Sequence, residues 1–137
     1  MTFIDTNIVM YAVGREHKYK SSCAKIIMDI SEGKISAVID CEVLQELLYR
    51  YWHIGELEKG LEVFEYFQSL IPKVLEINRS DLVTTAQVLK ENSFISPRDA
   101  IHIAVMKNNK INLICTTDTH FDKIEGIKGK NPLTYSL

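Results

Sequence analysis

Four short runs of apolar and β-branched residues, at positions 3–4, 35–39, 74–77 and 113–116, are separated by longer segments whose apolar residues recur with helical period. That alternation restricts the fold more than any other feature. A strand that feeds a helix and then another strand must cross over, so the strands lie parallel and the helices cover the sheet. Residues 8–13 read as a short helix ending near Gly14, and residues 17–31 carry a stripe of Cys23, Ile26, Ile27 and Ile30 before Gly33. Asp40 stands as the N-cap of a helix over 41–52, whose stripe is Val43, Leu44, Leu47, Leu48 and Tyr51. A further helix runs over 57–70 with Leu61, Phe64, Phe67 and Leu70 on one face, closed by Pro72. Ser80 opens a helix to about residue 90, and Ser96-Pro97 opens the last one, through 106. Residues 133–137 are the expected edge strand. With no repeat, low-complexity stretch or linker, the expectation is one α/β domain over residues 1–137.

A chain of 137 residues can bury about two-thirds of its unfolded surface. The net charge of −2 does not mark a bulk polyanion binder, yet it does not exclude one locally. If four carboxylates are set against metal, sixteen basic side chains face fourteen acidic ones. Cys23, Cys41 and Cys115 are odd in number, far apart and set in apolar runs, without zinc-ligand spacing, so they are expected to be buried free thiols in a reducing compartment. The amino terminus lacks a basic region, Asp5 interrupts its apolar run, and no uncharged stretch approaches the ~18 residues of a membrane span. The expected location is the cytoplasm, with no membrane partner.

Four acids stand at positions with chemical promise. Asp5 ends the first strand and Asp118 the fourth, which puts both at the sheet edge where α/β folds bind ligands. Asp5 could also simply cap the helix behind it. Glu46 sits beside the buried stripe of the 41–52 helix, where its alternative is a surface pair with Arg50 one turn on. Asp99, three residues after Ser96, fits the first turn of a capped helix and can still point at a metal. Glu42 is accounted for by the helix dipole. Mg²⁺ and Mn²⁺ prefer hard oxygen ligands, and such ions serve phosphate displacement. Carboxylates gathered without metal repel one another.

Taken together, Ile4-Asp5-Thr6-Asn7, Glu46-Leu47-Leu48, Asp99-Ala100-Ile101-His102-Ile103-Ala104 and Thr116-Thr117-Asp118-Thr119-His120-Phe121 resemble the motifs of the PIN-domain nucleases, in order, over nearly the whole chain. By size the resemblance is to single-domain VapC-type toxins. It implies a parallel sheet of about five strands flanked by helices, and a Mg²⁺- or Mn²⁺-dependent endoribonuclease acting on RNA phosphodiester bonds. Its catalytic and metal-holding acids map onto Asp5, Glu46, Asp99 and Asp118, with Asn7, Thr116 and Asp122 in support; acids near Asp122 share the fourth role in some relatives. The fourth motif reads Thr-Thr-Asp where many relatives have Thr-Asn-Asp or Ser-Asn-Asp. The resemblance also implies a homodimer, here through the 57–70 helix with Leu61, Phe64, Tyr66 and Phe67, and a small antitoxin whose basic side chain covers the acidic pocket. The alternative is a PIN-fold RNA-binding or assembly module with little turnover, which would have no need of all four acids.

Other chemistry is poorly represented. Asp5-Thr6-Asn7 lacks the second acid, two residues on, of the aspartyl-phosphate hydrolases, and no glycine-rich phosphate loop or Ser/His or Cys/His nucleophile signature is present. His17, His53, His102 and His120 show no metal spacing; His102 reads as a satisfied core or surface histidine, and His120 draws interest beside Asp118. Lysines after Asp5, Asp99 and Asp118 could position phosphates. Tyr11, Tyr49, Tyr51 and Trp52 could stack on bases, though most are expected in the core.

Overall fold

The structure is a computed structural model and describes residues 1–135. Its first strand, β1 (Thr2–Ile4), is buried along its length, with Phe3 and Ile4 fully enclosed. Helices α1 (Thr6–Val13) and α2 (Lys20–Ser31) lead to β2 (Ala37–Asp40). Then follow α3 (Cys41–His53), α4 (Leu57–Leu70), β3 (Val74–Leu75), α5 (Arg79–Glu91), α6 (Pro97–Asn108), β4 (Leu113–Cys115), a 3-10 helix (Thr119–Lys123) and β5 (Lys128–Lys130). The five strands form one sheet in the order β3-β2-β1-β4-β5, and every adjacent pair is parallel. Phe3 lies opposite Val38 on one side and Ile114 on the other.

This order fixes where a site can form. The chain steps outward from β1 to β2 to β3, then returns to the opposite side of β1 for β4 and β5. The reversal between β1 and β4 is the switch point at which loops diverge and leave a crevice at the carboxyl ends of the strands. Asp5 follows β1 directly and Asp118 stands just past β4, so both acids project from that edge.

The helices form where period and caps agree. The Asp40 side chain accepts the Val43 N–H at 3.0 Å, and Ser96 Oγ accepts the Asp99 N–H at 3.2 Å with Pro97 as the first helical residue. Asn78 and Asp81 make a reciprocal capping box at the start of α5. α1 packs on α2, α3 on α4, and α5 on α6.

Four expectations need correction. The edge strand is Lys128–Lys130 and not 133–137. Asn131 and Pro132 turn the chain instead, with the Leu133 N–H bonded to Asn131 Oδ1 and the Thr134 N–H to the Asn131 carbonyl; Ser136 and Leu137 lie outside the described residues. Cys41 is exposed at the first turn of α3, whereas Cys23 and Cys115 are buried and unpaired. Tyr49 and Trp52 are on the surface, at 40% and 60% exposure, while Tyr51 is in the core. Phe67 is fully buried within its own domain and has nothing left to offer a partner.

Candidate active site

Asp5 is the best-held side chain at the carboxyl edge. It is almost completely buried, its Oδ1 accepts the Thr6 N–H at 2.8 Å, and its Oδ2 accepts the Thr116 hydroxyl at 2.7 Å and the Asn7 amide at 3.4 Å. Asp5 is thus the N-cap of α1 and a candidate ligand at once. Two threonines carry the connection further. The Thr6 hydroxyl, fully buried, donates to Glu46 Oε1 at 3.1 Å. Thr116 Oγ1 accepts the Asp118 N–H at 3.0 Å. A continuous hydrogen-bonded path therefore runs Glu46–Thr6–Asp5–Thr116–Asp118, drawing residues from α3, α1, the junction between β1 and α1, and the loop after β4.

The charges along this path sense one another. Burial pushes the Asp5 carboxyl up to about 6, and Asp99 and Glu46 add to the rise while His102 and the Thr116 hydroxyl oppose it. Asp99, half-buried in the first turn of α6, is likewise raised by burial and by Asp118 and Glu46, against the pull of His102. Asp118 is more open, caps the 3-10 helix through the His120 N–H at 2.8 Å, and lies 3.2 Å from His120 Nδ1. Asp122 takes a different place: its Oδ1 accepts the Gly129 N–H at 2.8 Å and anchors β5, and no hydrogen bond joins it to the path among the described residues.

Glu46 behaves differently from its neighbours. Burial alone would raise its pKa, but His102, Thr6 and Arg98 outweigh it and hold the carboxyl below the usual range. Arg50 Nη1 stands 3.4 Å and Arg98 Nη1 3.9 Å from Glu46 Oε2. The Arg50 pair is therefore present as the spacing suggests, yet on a buried carboxylate. Behind it lies a feature the sequence did not announce. His102 and Asp40 are both fully buried, with Nδ1 and Oδ2 2.8 Å apart, and Phe3 packs on the imidazole at 5.3 Å. Burial would lower the His102 pKa, but Asp40 and Glu46 overcome it and push it up to about 10, so the ring is an imidazolium at neutral pH. Its Nε2 is buried without a hydrogen-bond partner among the described residues and faces Glu46 Oε1 at 3.9 Å, an ion-pair distance too long for a hydrogen bond. Asp40 is thus a cap on one oxygen and a counter-ion on the other.

The donors along this edge are hard oxygens, the set suited to a divalent cation. Asn7 Oδ1 is buried there with no hydrogen-bond partner among the described residues, one more oxygen acceptor left unused at this edge. Among the described residues, no group of three or more His, Cys, Asp or Glu side chains stands close enough together, as the side chains are placed, to hold a metal ion. The acids interact, but they are not drawn in to contact.

Comparison with known proteins agrees with this architecture. The PIN domain profile matches residues 2–127. The chain is 35% identical over 128 residues to a VapC ribonuclease of Mycobacterium bovis and to ribonuclease VapC13 of Mycobacterium tuberculosis, in each case covering 93% of this chain and 98% of the relative. Among solved structures, the fold resembles VapBC2 of Rickettsia felis bound to a DNA fragment from its promoter (TM-score 0.74, 17% identity, 95% of this chain and 97% of that one). It also resembles FitAcB of Neisseria gonorrhoeae (TM-score 0.75, 15% identity, 98% and 100%). With a profile match over nearly the whole chain, relatives of 35% identity and a sheet of this order, the chain belongs to the PIN-domain family, within its VapC group.

Proposed function

We propose that this chain is a divalent-metal-dependent endoribonuclease that hydrolyses RNA phosphodiester bonds, and that it is the toxin of a toxin–antitoxin pair acting in the cytoplasm. The observation that carries the reading is the hydrogen-bonded path linking Glu46 and Asp5, both buried, to the more open Asp118, with Asp99 electrostatically coupled to it. Holding like charges together in a partly dry crevice is costly in the metal-free protein, which makes sense if a cation is meant to join them. Asp5, Glu46, Asp99 and Asp118 would hold Mg²⁺ or Mn²⁺, which would lower the pKa of a water and offset charge building on the phosphate.

The protein's own groups have separable tasks. Thr6 and Thr116 fix the two oxygens of Asp5, so its orientation survives ligand exchange. The His102 imidazolium, backed by Asp40, keeps Glu46 ionised. Arg50 and Arg98, both with nearly half of their side chains in solvent, give a phosphate chain a reason to approach an acidic crevice. The R. felis structure named above is a VapBC complex, as is one from Salmonella typhimurium. These support a small antitoxin here; its reaching the carboxylates with an Arg or Lys is part of our proposal. A homodimer is part of the same proposal.

Cleavage of a single-stranded RNA, followed with Mn²⁺ and with EDTA, tests the activity. Wild type should cut only with metal. Asp5→Asn, which keeps the shape, should lose more than the ~100-fold typical of residues one step outside a metal site. RNA binding without metal-dependent cleavage would replace the enzyme reading with a binding module.

A further inference from the structure

Helix α3 continues beyond Glu46 for nearly two turns, and its end builds a second cleft against the start of α6. The cavity measures about 540 Å³ and shares Glu46 and Asp99 with the carboxylate site, while Tyr49, Arg50, His53 and Arg98 line the rest of its chemistry. The Tyr49 and His53 rings are nearly parallel, 16° apart with centroids at 5.8 Å. The Arg98 guanidinium lies 5.4 Å from the Tyr49 ring centre. Trp52 leans on Tyr49 at 5.9 Å and is itself 60% exposed.

This collection is hard to explain by folding alone. Tyr49, Trp52 and His53 stay on the surface and bury little area in the core, so they contribute little to the hydrophobic drive. Arg50 pairs with Glu46, and Arg98 reaches both Glu46 and Glu42, its Nε 3.8 Å from Glu42 Oε1, yet these contacts do not use up either guanidinium. Their separations of 3.4, 3.8 and 3.9 Å exceed the ~2.7–2.9 Å of a tight charge-assisted bond, and each guanidinium retains donors facing solvent. Planar rings, free guanidinium donors and an adjoining carboxylate crevice together match a nucleotide: a base with a π face, joined to a phosphate that must lead into the cutting site.

We propose that this cleft is a subsite for single-stranded RNA, in which the base of a nucleotide adjoining the scissile phosphate stacks on Tyr49 while Arg50 and Arg98 hold a neighbouring phosphate. The proposal rests on the ribonuclease reading above and adds a place for the substrate. Two arginines and two carboxylates line the cleft, so a phosphate is drawn to its Arg50 and Arg98 side, whereas a partner's basic side chain would go to Glu46 and Asp99.

The test uses fluorescently labelled single-stranded RNA oligonucleotides and the Asp5→Asn chain, so that binding is read without turnover. Tyr49→Ala placed in that background should weaken binding by roughly 5- to 150-fold, the range of a lost base stack, while Tyr49→Phe should bind as before. Tyr49→Leu, which keeps packing but removes the π face, should resemble Tyr49→Ala and serves if the alanine variant folds poorly. In the otherwise wild-type chain, Tyr49→Leu should raise KM with little change in kcat. If wild type cuts RNA and the Tyr49 variants keep wild-type binding and KM, the subsite is overturned and the nuclease reading stands. If wild type cuts no RNA yet binds it in a Tyr49-dependent way, the subsite stands and the nuclease reading falls. Loss of a co-expressed protein partner from Tyr49→Leu, with RNA binding unchanged, would give the cleft to that partner and overturn the proposal.

Discussion

Asp5 shows what a single residue can carry. Its carboxyl is ordinarily half-ionised near 3.8, and burial moves that point to about 6 in the folded chain. The folded state therefore binds the proton more tightly than the unfolded state. Between about pH 4 and 6 it carries more protons, so this group's contribution falls as pH rises through that window and is flat above it. The full difference is roughly 3 kcal/mol against the metal-free protein at neutral pH. Asp5→Asn removes this burden but offers one acceptor oxygen to Thr6, Thr116 and Asn7 in place of two, a loss of about 1 kcal/mol. Urea unfolding in EDTA should find Asp5→Asn more stable than wild type by about 1–2 kcal/mol at pH 7.5. The advantage should vanish by pH 4. An advantage independent of pH would mean that Asp5 is not ionised at a cost. The role of Asp5 could be read from its place after an apolar run. The Asp40–His102 pair could not, because its members are 62 positions apart and meet only when α6 packs over the end of β2.

At the scale of elements, the site depends on how α3 is held. Gly60 lies inside α4 where it crosses α3, and a Cβ there would stand 2.5 Å from Tyr51 Cβ, an atom fixed to the α3 backbone. Alanine normally gains up to ~1 kcal/mol over glycine in a helix, but forcing the two helices apart costs about 1–3 kcal/mol. Gly60→Ala should therefore lower the urea midpoint, with a net cost near 1–2 kcal/mol, and reduce cleavage because Glu46 rides on the displaced helix. A rise in the midpoint would show that the crossing is looser than the structure has it. The helices were legible because their period and caps are local: Asp40, Ser96 and the apolar stripes all act within a turn or two. β5 was not, since Lys128-Gly129-Lys130 has no apolar pattern and is defined by backbone pairing with Leu113–Cys115 and by the Asp122 bond to Gly129. Lysines suit an exposed edge, where they discourage further strand pairing. For the same reason the four acids were visible within short motifs, while the Tyr49, His53 and Arg98 cleft emerges only from the approach of α3 to α6.

The whole molecule presents an outer face that its own core leaves uncovered. Val63 and Phe67 of α4 point inward, whereas Leu57, Leu61 and Tyr66 of the same helix are 42%, 51% and 47% exposed. Tyr66 also joins Ala12, Val13, Ile27 and Met28 around a shallow apolar cleft between α4, α1 and α2, with Met28 59% exposed. Scattered apolar side chains such as Leu57 and Leu61 are ordinary on a surface, but the group of Tyr66, Ala12, Val13, Ile27 and Met28 on neighbouring helices suits a partner. A two-fold contact would let one patch cover its copy, and a stable dimer needs about 1,200 Å² or more of total buried area. Light scattering at micromolar concentration should thus give twice the 15.7 kDa chain mass. Met28→Glu or Tyr66→Glu, each placing a charge on that patch, should return the mass to that of one chain with little change in melting temperature, since neither side chain is in the core. All four acids of the candidate site come from a single chain, so the monomeric variants should still cut RNA with metal. A wild-type protein that scatters as a monomer would remove the dimer, and a monomeric variant that loses cleavage would show that the second copy shapes the site.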